Sequence, residues 1–347
     1  MGKGKVVKVG LIIFGLLFIV AAYIFSNYYQ RVFRSNTSVS EANPYLYVYS
    51  DWDRSDLIEA MAQQGILKDT ASFVWVANKK HFLTPKAGKY RLKDGMNNNG
   101  LVNLLRSGSQ EPVRLTFNSI RTPKDLAGKI AKQIEADSTE LIQAISSGEI
   151  AAKYGFSRST FLTLFIPNTY EVYWDMSAEE FIQRMAKEYK RFWTVARLAN
   201  AKRLKLSQSE VGILASIVQA EQLSKPSERP KVAGLYINRM RKRMRLESDP
   251  TLIYGIGDFS IKRVLNKHKE VNSPYNTYKN AGLPPGPINL PEISSIDAVL
   301  YYENHDFIFM CAKPDFSGYH DFSRTYSQHK VYANRYHREL NKRKIMK

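Results

Sequence analysis

The sequence predicts a mixed α+β chain held in a membrane by one N-terminal transmembrane helix. Three observations carry that expectation. Residues 9–25, "VGLIIFGLLFIVAAYIF", are uncharged and apolar over close to the length a bilayer core requires. Beyond them, short alternating stretches such as "PYLYVYS" and "EPVRLTF" read as strands. Between and after these, apolar residues recur at the intervals of amphipathic helices. With 44% hydrophobic and 12% aromatic residues in 347, the chain can bury the core of more than one domain and is neither disordered nor collagenous.

Lys3, Lys5 and Lys8 precede the apolar run, and Tyr23 lies near its far end. The positive-inside bias puts a tail of residues 1–8 in the cytoplasm, a span at 9–26, and the rest of the chain outside. A cleaved signal peptide is the competing reading, since Ala21 and Ala22 are small; the length of the stretch and the lack of a clear A-x-A site favour a retained anchor. A formal charge of +19 calls for an acidic partner: nucleic acid, anionic lipid or an acidic polymer. An exported chain sets nucleic acid aside. Cys311 is the single cysteine, so no internal disulfide forms, and within "DFIFMCAK" it reads as a buried strand residue rather than a nucleophile. No zinc-ligand spacing is present, and no metal or organic cofactor is implied.

Residues 27–43 are polar and read as a juxtamembrane linker. Residues 44–110 read as a small, self-contained α/β segment. It has a strand at "PYLYVYS", a helix in "DRSDLIEAMAQQGIL", a second strand at "SFVWVANK", a short strand at Lys89–Leu92 and a helix from about Asn99 to Arg106. In residues 111–347, Thr122-Pro123 marks a capped helix start, and Ser138 can cap the next helix. "FIPNTYEVYWDMS" is an aromatic-rich loop or strand, suited to core packing or to a sugar groove. "AEEFIQRMAKEYKRFWTVARLANAKRL" reads as one helix. "NSPYNTYKNAGLPPGPINLP" is too rich in Pro, Asn and Gly for regular structure, and a loop of that length is usually functional. "DFIFMCAK" and "GYHDFSRTYSQH" read as a strand and its hairpin partner, or a strand-to-helix junction. The closing basic helix reads as a solvated face or a contact with lipid headgroups.

One residue is out of pattern. Leu214, Ile217, Val218 and Glu221 fall at i, i+3, i+4 and i+7, so a carboxylate occupies a slot where an apolar stripe should continue. A desolvated carboxyl holds its proton toward neutral pH, as a general acid must; the bland reading is a helix end emerging into solvent. Ser227 can cap the helix that follows. Downstream lie Asn238, Arg239 and Asp249, then Tyr275, Asn276 and Tyr278, a composition suited to carbohydrate. Glycoside cleavage usually needs two carboxylates. Only Glu221 stands on an apolar stripe, and Glu228, Glu247 and Asp249 read as cap, loop or ion-pair residues. If a substrate hydroxyl attacks the anomeric carbon, one carboxyl suffices as acid and then base, which is lytic transglycosylation of peptidoglycan.

The ordered set "ASIVQAE", "SERPKVAGLYINRM", "MRLESDPTLIYG", "SPYNTY", "GLPPGPI" and "HDFSRTYSQH", with "KAGKYRLKDGM" and "FIPNTYEVY" before it, resembles the endolytic murein transglycosylase (YceG-like) family from about residue 80 to about 330. The resemblance implies a membrane anchor, a LysM-like subdomain at 44–110 and an α+β catalytic domain at 111–347. It implies cleavage of the MurNAc–GlcNAc bond in nascent strands to leave 1,6-anhydroMurNAc ends, with Glu221 as the general acid/base. Substrate contacts would come from Asn238, Arg239, Asp249, Tyr254, Asn276, Tyr278, His320 and His329; for the two histidines a structural hydrogen-bonding role is an equal alternative. Partners would be peptidoglycan glycan strands, membrane lipid and cell-wall synthases of the penicillin-binding class. The sequence departs from the family pattern at Gln219, where relatives usually carry glutamate, at Asn168 in place of an aspartate, and at Glu247 in place of a glutamine. Three other functions stay open at this point. One is a two-carboxylate muramidase using Asp249, and another is a non-catalytic glycan-binding scaffold. The third is a penicillin-binding acyltransferase, suggested by S-x-x-K at Ser327–Lys330 but lacking a K-T-G strand.

Overall fold

The computed structural model of the chain describes residues 3–261 and 263–343. It divides into two units, one formed by the chain up to Arg114 with Glu171–Met176, the other by Leu115–Tyr170 with the chain from Ser177 onward.

The first unit starts with α1 (Lys3–Phe33), which runs without interruption through the apolar segment and eight residues past Phe25. Val7–Phe33 is long and apolar enough to cross a membrane, and its large apolar side chains from Val7 to Phe25 are exposed. The residues expected as a linker are instead built into the unit. Val32 joins the core of Leu46, Leu57, Met61, Phe73 and Tyr90. Asn36 and Thr37 are buried, and the Asn36 and Thr37 amides both donate to the Met96 carbonyl, at 2.9 and 3.0 Å.

Strands β1 (Tyr45–Val48) and β2 (Gly88–Arg91) pair antiparallel with Tyr45 opposite Arg91. Between them lie α2 (Arg54–Gln63), started by an Asp53 capping box, and α3 (Thr70–Lys79). The second of these corrects the strand expected at "SFVWVANK". Its four-residue alternation is too short to distinguish the periods, and the buried set Phe73, Val76 and Ala77 follows the helical one, with Asp69 as N-cap. α4 (Asn98–Ser107) ends at Gly108, whose left-handed φ of 72° suits a residue without Cβ.

In the second unit β3 (Val113–Phe117) pairs with β4 (Asn168–Val172), and the division between the units falls within both strands. α5 (Pro123–Ile130) begins at the expected Thr122 cap; α6 (Ser138–Ser146) is capped by Asp137, with Ser138 already inside the helix; α7 (Gly148–Lys153) follows. The single helix expected next is two, α8 (Ala178–Phe192) and α9 (Val195–Leu204), because Thr194 caps a new start. α10 (Gln208–Glu221) opens with a Ser207/Glu210 capping box and is buried from Val211 to Gln219, packed by α11 (Arg229–Arg241), α12 (Asp249–Ile256) and, beyond the short α13 (Asn266–Lys269), α14 (Ile293–Leu300). α11 follows a 3-10 turn at Pro226–Glu228 with no side-chain cap, so Ser227 does not play the expected part. On α11, a Cβ added at Gly234 would sit 2.4 Å from the Glu303 carbonyl oxygen, so the chain passes there only over a glycine. β5 (Phe309–Ala312) and β6 (His320–Ser323) form the expected antiparallel hairpin, and α15 (Tyr326–Lys342) closes the chain. Cys311 is half-buried in β5, and burial pushes its thiol pKa up.

Asn98 is the polar hub of the first unit. Its amide donates to the Arg31 carbonyl and to Ser72 Oγ, both at 2.9 Å, and its Oδ1 accepts from Asn36 at 2.7 Å. Asn98→Ala strands these buried groups and should cost about 1–3 kcal/mol, read as a lower melting temperature of the full chain in detergent.

Candidate active site

Glu221 is the last residue of α10, at the point where the helix leaves the core. Its Oε1 accepts two hydrogen bonds, from Tyr236 Oη at 2.7 Å and Ser248 Oγ at 2.5 Å. Among the described residues nothing donates to Oε2. Tyr236 stands on the apolar side of α11, and its buried hydroxyl needs a partner, which Glu221 supplies. Ser248 occupies the N-cap position of α12 yet makes no cap hydrogen bond, because its hydroxyl turns to Glu221. Loss of water raises the Glu221 pKa above the ordinary carboxylate value, and the charge of Asp249 adds to the rise. The two hydrogen bonds and His320 oppose it without cancelling it. Burial thus favours the protonated carboxyl, and Oε2 is the oxygen to which no described residue donates.

The end of α10 is pinned from below. Arg229, 2% exposed, donates from Nε to the Gln222 carbonyl at 3.0 Å and from Nη1 to Glu292 Oε2 and Ser294 Oγ at 2.7 and 2.9 Å. Gln219 faces α14, where its Oε1 accepts from the Glu292 amide at 2.7 Å and from Ser295 Oγ at 2.9 Å. That role suits an amide oxygen as well as a carboxylate, which accounts physically for glutamine at this position. The long Pro- and Asn-rich loop lies on the same helix: the Ile288 amide donates to Ser216 Oγ, and Asn289 Nδ2 to the Ser216 carbonyl.

Two cavities lie at the end of α10. One of about 350 Å³ is lined by Glu221, Gln222, Ser224, Lys313, Tyr319 and His320. The other, of about 460 Å³, is lined by Arg121, Gln219, Tyr254, Phe259 and Asn289. Ala220 and Leu223 border both, and Leu223 is 67% exposed. Glu221 itself lines the first of them. Tyr254 and Phe259 line the second cavity, Tyr275 packs on Tyr254, and the Arg121 guanidinium lies 4.2 Å from the Phe259 ring centroid.

Of the residues singled out from sequence, Glu221 and His320 line one cavity and Tyr254 the other. His320 Nδ1 lies 2.7 Å from Oε2 of the buried Glu228, an acid that looked like a simple helix-start residue. Gln222 Nε2 donates to the same oxygen and, at 3.0 Å, to the Gly318 carbonyl. Asp249 is close enough to act on Glu221, and Tyr278 Oη donates to its Oδ1 at 2.5 Å. The others are turned to framework contacts. Asn238 donates to the His305 and Phe307 carbonyls. Arg239 is bound by the Arg245 and Ile308 carbonyls and by Glu247. Asn276 is buried and donates to the Lys269 and Val271 carbonyls. His329 stacks on Phe309 at 5.4 Å, and burial first, then Arg239, lowers its pKa. Asn168 is exposed on β4, and Ser327 and Lys330 are exposed on the first turns of α15. Tyr236, Ser248 and Arg229 were not singled out from sequence, and Glu228 was read there as a cap, loop or ion-pair residue.

Over residues 46–335 the chain matches the model described as the YceG-like family. It is 27% identical over 298 residues to a Bacillus subtilis protein named endolytic murein transglycosylase, with 81% of each chain covered. A Streptococcus pneumoniae (strain D39) protein of the same name is 25% identical over 286 residues; that match takes in 73% of this chain and 51% of the relative, so here the chain spans about half the relative's length. The crystal structure of a YceG-like protein from Listeria monocytogenes superposes with a TM-score of 0.56 at 26% identity, covering 83% of this chain and 98% of that one.

Two outcomes follow for stability. The folded pKa of Glu221 lies above its unfolded value, so stability is lost as pH rises through the folded pKa. Glu221→Gln should therefore melt higher than the parent at alkaline pH and level with it in acid below the unfolded carboxylate range, by calorimetry at both pH values. Arg229→Met leaves the Gln222 carbonyl without its donor and should cost about 1–3 kcal/mol, seen in a denaturant titration.

Proposed function

The chain belongs to the YceG-like family, and from that premise we propose that it is a membrane-anchored endolytic murein transglycosylase with Glu221 as its one proton-transfer group. The observation that carries this reading is the asymmetric carboxyl: Oε1 held by Tyr236 and Ser248, Oε2 with no donor among the described residues, the pKa raised by burial. Protonated Oε2 gives its proton to the glycosidic oxygen as the bond from the muramyl C1 to that oxygen breaks. The C6 hydroxyl of the same muramyl residue then attacks C1 and gives its proton back to Oε2. One C–O bond breaks and one forms, no water is consumed, and the products are a 1,6-anhydromuramyl end and a sugar with a free hydroxyl. Tyr236 and Ser248 keep the carboxyl from rotating between the two transfers, so the same oxygen serves both.

In this reading the two cavities, which share Ala220 and Leu223, take sugars of one strand, with Tyr254 and Phe259 as a stacking wall. The anchor places the first unit, read as LysM-like, and the catalytic unit on the outer face of the cytoplasmic membrane, with the lysine-bearing tail inside. Cell-wall synthases are partners by the same family reading. Asp249 favours a second reading, a two-carboxylate muramidase, because it is near enough to raise the Glu221 pKa.

Digestion of peptidoglycan by the purified full chain, with mass analysis of the new ends, separates these. Anhydro ends support the proposal, and reducing ends support the muramidase. Equal turnover by Glu221→Gln would sink both; the expected loss is about 10²–10⁴-fold. The pH profile gives a second check. Activity should fall as pH rises through the Glu221 pKa. Ser248→Ala, which removes a bond favouring the ionised form, should move that fall to higher pH, and Asp249→Asn should move it lower.

A further inference from the structure

The membrane end of the first unit carries aromatic and cationic side chains with no acid to match them. Residues 9–30 bear no charge, which is about 33 Å of helix at 1.5 Å per residue against a hydrocarbon core of about 30 Å. Arg31 is the first charged side chain beyond that stretch, and α1 continues unbroken through it. With the span in the bilayer, residues 28–33 emerge at headgroup depth.

At that level α1 meets α3. The Tyr28 ring lies edge-on to Trp75, centroids 5.7 Å apart. The Arg31 guanidinium sits 5.4 Å and the Lys79 ammonium 5.7 Å from the centroid of the same Trp75 ring. Two exposed cations are thus gathered on one indole. Next to them, Arg106 Nη1 donates to the Lys80 carbonyl at 3.3 Å, and Lys80 Nζ donates to Asn103 at 2.7 Å. Burial first, then the Arg106 charge, lowers the Lys80 pKa, a sign of crowding between like charges. Among the described residues none of Arg31, Lys79, Lys80 and Arg106 forms an ion pair. Most of their N–H donors are uncommitted. Tyr29 and Phe33 add exposed rings on α1.

Indole and phenol rings sit where an apolar body and a polar edge are both wetted, which is the membrane interface. Clustered arginine and lysine beside a bilayer recognise anionic headgroups. We infer that this collar, built from the end of α1 and the C-terminal ends of α3 and α4, binds anionic phospholipid, so that the first unit rests on the bilayer surface. Anionic headgroups supply the counter-charge that the protein itself does not provide. The inference rests on the anchor reading and goes beyond it, since an anchor alone asks for no lipid preference.

The test uses the full chain in nanodiscs whose lipids are brominated near the top of the acyl chain, either phosphatidylglycerol or phosphatidylcholine at equal mole fraction. Tryptophan fluorescence should be quenched more by the brominated phosphatidylglycerol. Trp75→Phe should abolish that difference, as should Lys79→Glu with Arg106→Glu. If the charge reversal unfolds the unit, Lys79→Gln with Arg106→Gln should shrink the difference while circular dichroism stays native. Equal quenching by the two lipids would overturn the inference while leaving the anchor intact. No quenching attributable to Trp75 would show that this face meets water or a protein, and would also overturn it. A chain that leaves the nanodisc on gel filtration fails at the anchor, and the collar falls with it.

Discussion

Arg229 is the constraint on which the placement of Glu221 depends. A guanidinium carried almost wholly out of water is tolerated only when its donors are met, and removing a partner is expensive. Three acceptors meet it here: the Gln222 carbonyl just past Glu221, the Glu292 carboxylate and the Ser294 hydroxyl. Those groups belong to the end of α10 and the start of α14, and Arg229 itself begins α11. Satisfying one buried charge therefore forces three helix ends to converge, and Glu221 stands where they do. Gln219 strengthens the same convergence from another face of α10 by accepting from the Glu292 amide and Ser295.

On that frame the carboxyl is balanced between opposing effects. Burial pushes its pKa up, while two short hydrogen bonds pull it down, and burial wins. Because both bonds fall on Oε1, they fix the plane of the group without occupying the oxygen that would do chemistry. Under the proposed function, holding a desolvated carboxyl in such a frame is the ordinary trade between stability and activity.

Much of this was legible along the chain, and what was not shares one cause. The long apolar helix, the Thr122 cap and the acid on an apolar stripe are local patterns, and they appear as local structure. The helix α3 was hidden by a run of Val, Trp and Val, whose β preference outweighs four residues of periodicity but not the burial of Phe73, Val76 and Ala77 together. Ser248 and Tyr236 could not be singled out along the chain because their partner, Glu221, is 27 and 15 positions away. The Arg229–Glu292 pair spans 63 positions. Asn238, Arg239 and Asn276 have the chemistry of a sugar site, yet each is taken up by backbone carbonyls, and composition alone cannot tell a polar side chain that binds a ligand from one that fastens a loop.

Under the proposed anchoring, the continuity of α1 into the first unit bears on how the protein could be released from a membrane. Val32, Asn36 and Thr37 are core, so a proteolytic cut between Phe33 and Pro44 would take a wall of the domain with it. A cut among the small residues near Ala21 and Ala22 would leave that wall standing. A shed form that stays folded must therefore keep the last turn of α1, and if cut before Tyr28 it carries exposed aromatic rings at its tip. Such a form would be prone to rejoin a bilayer or to pair with its own kind, and its solubility would say on which side of Tyr28 it had been cut.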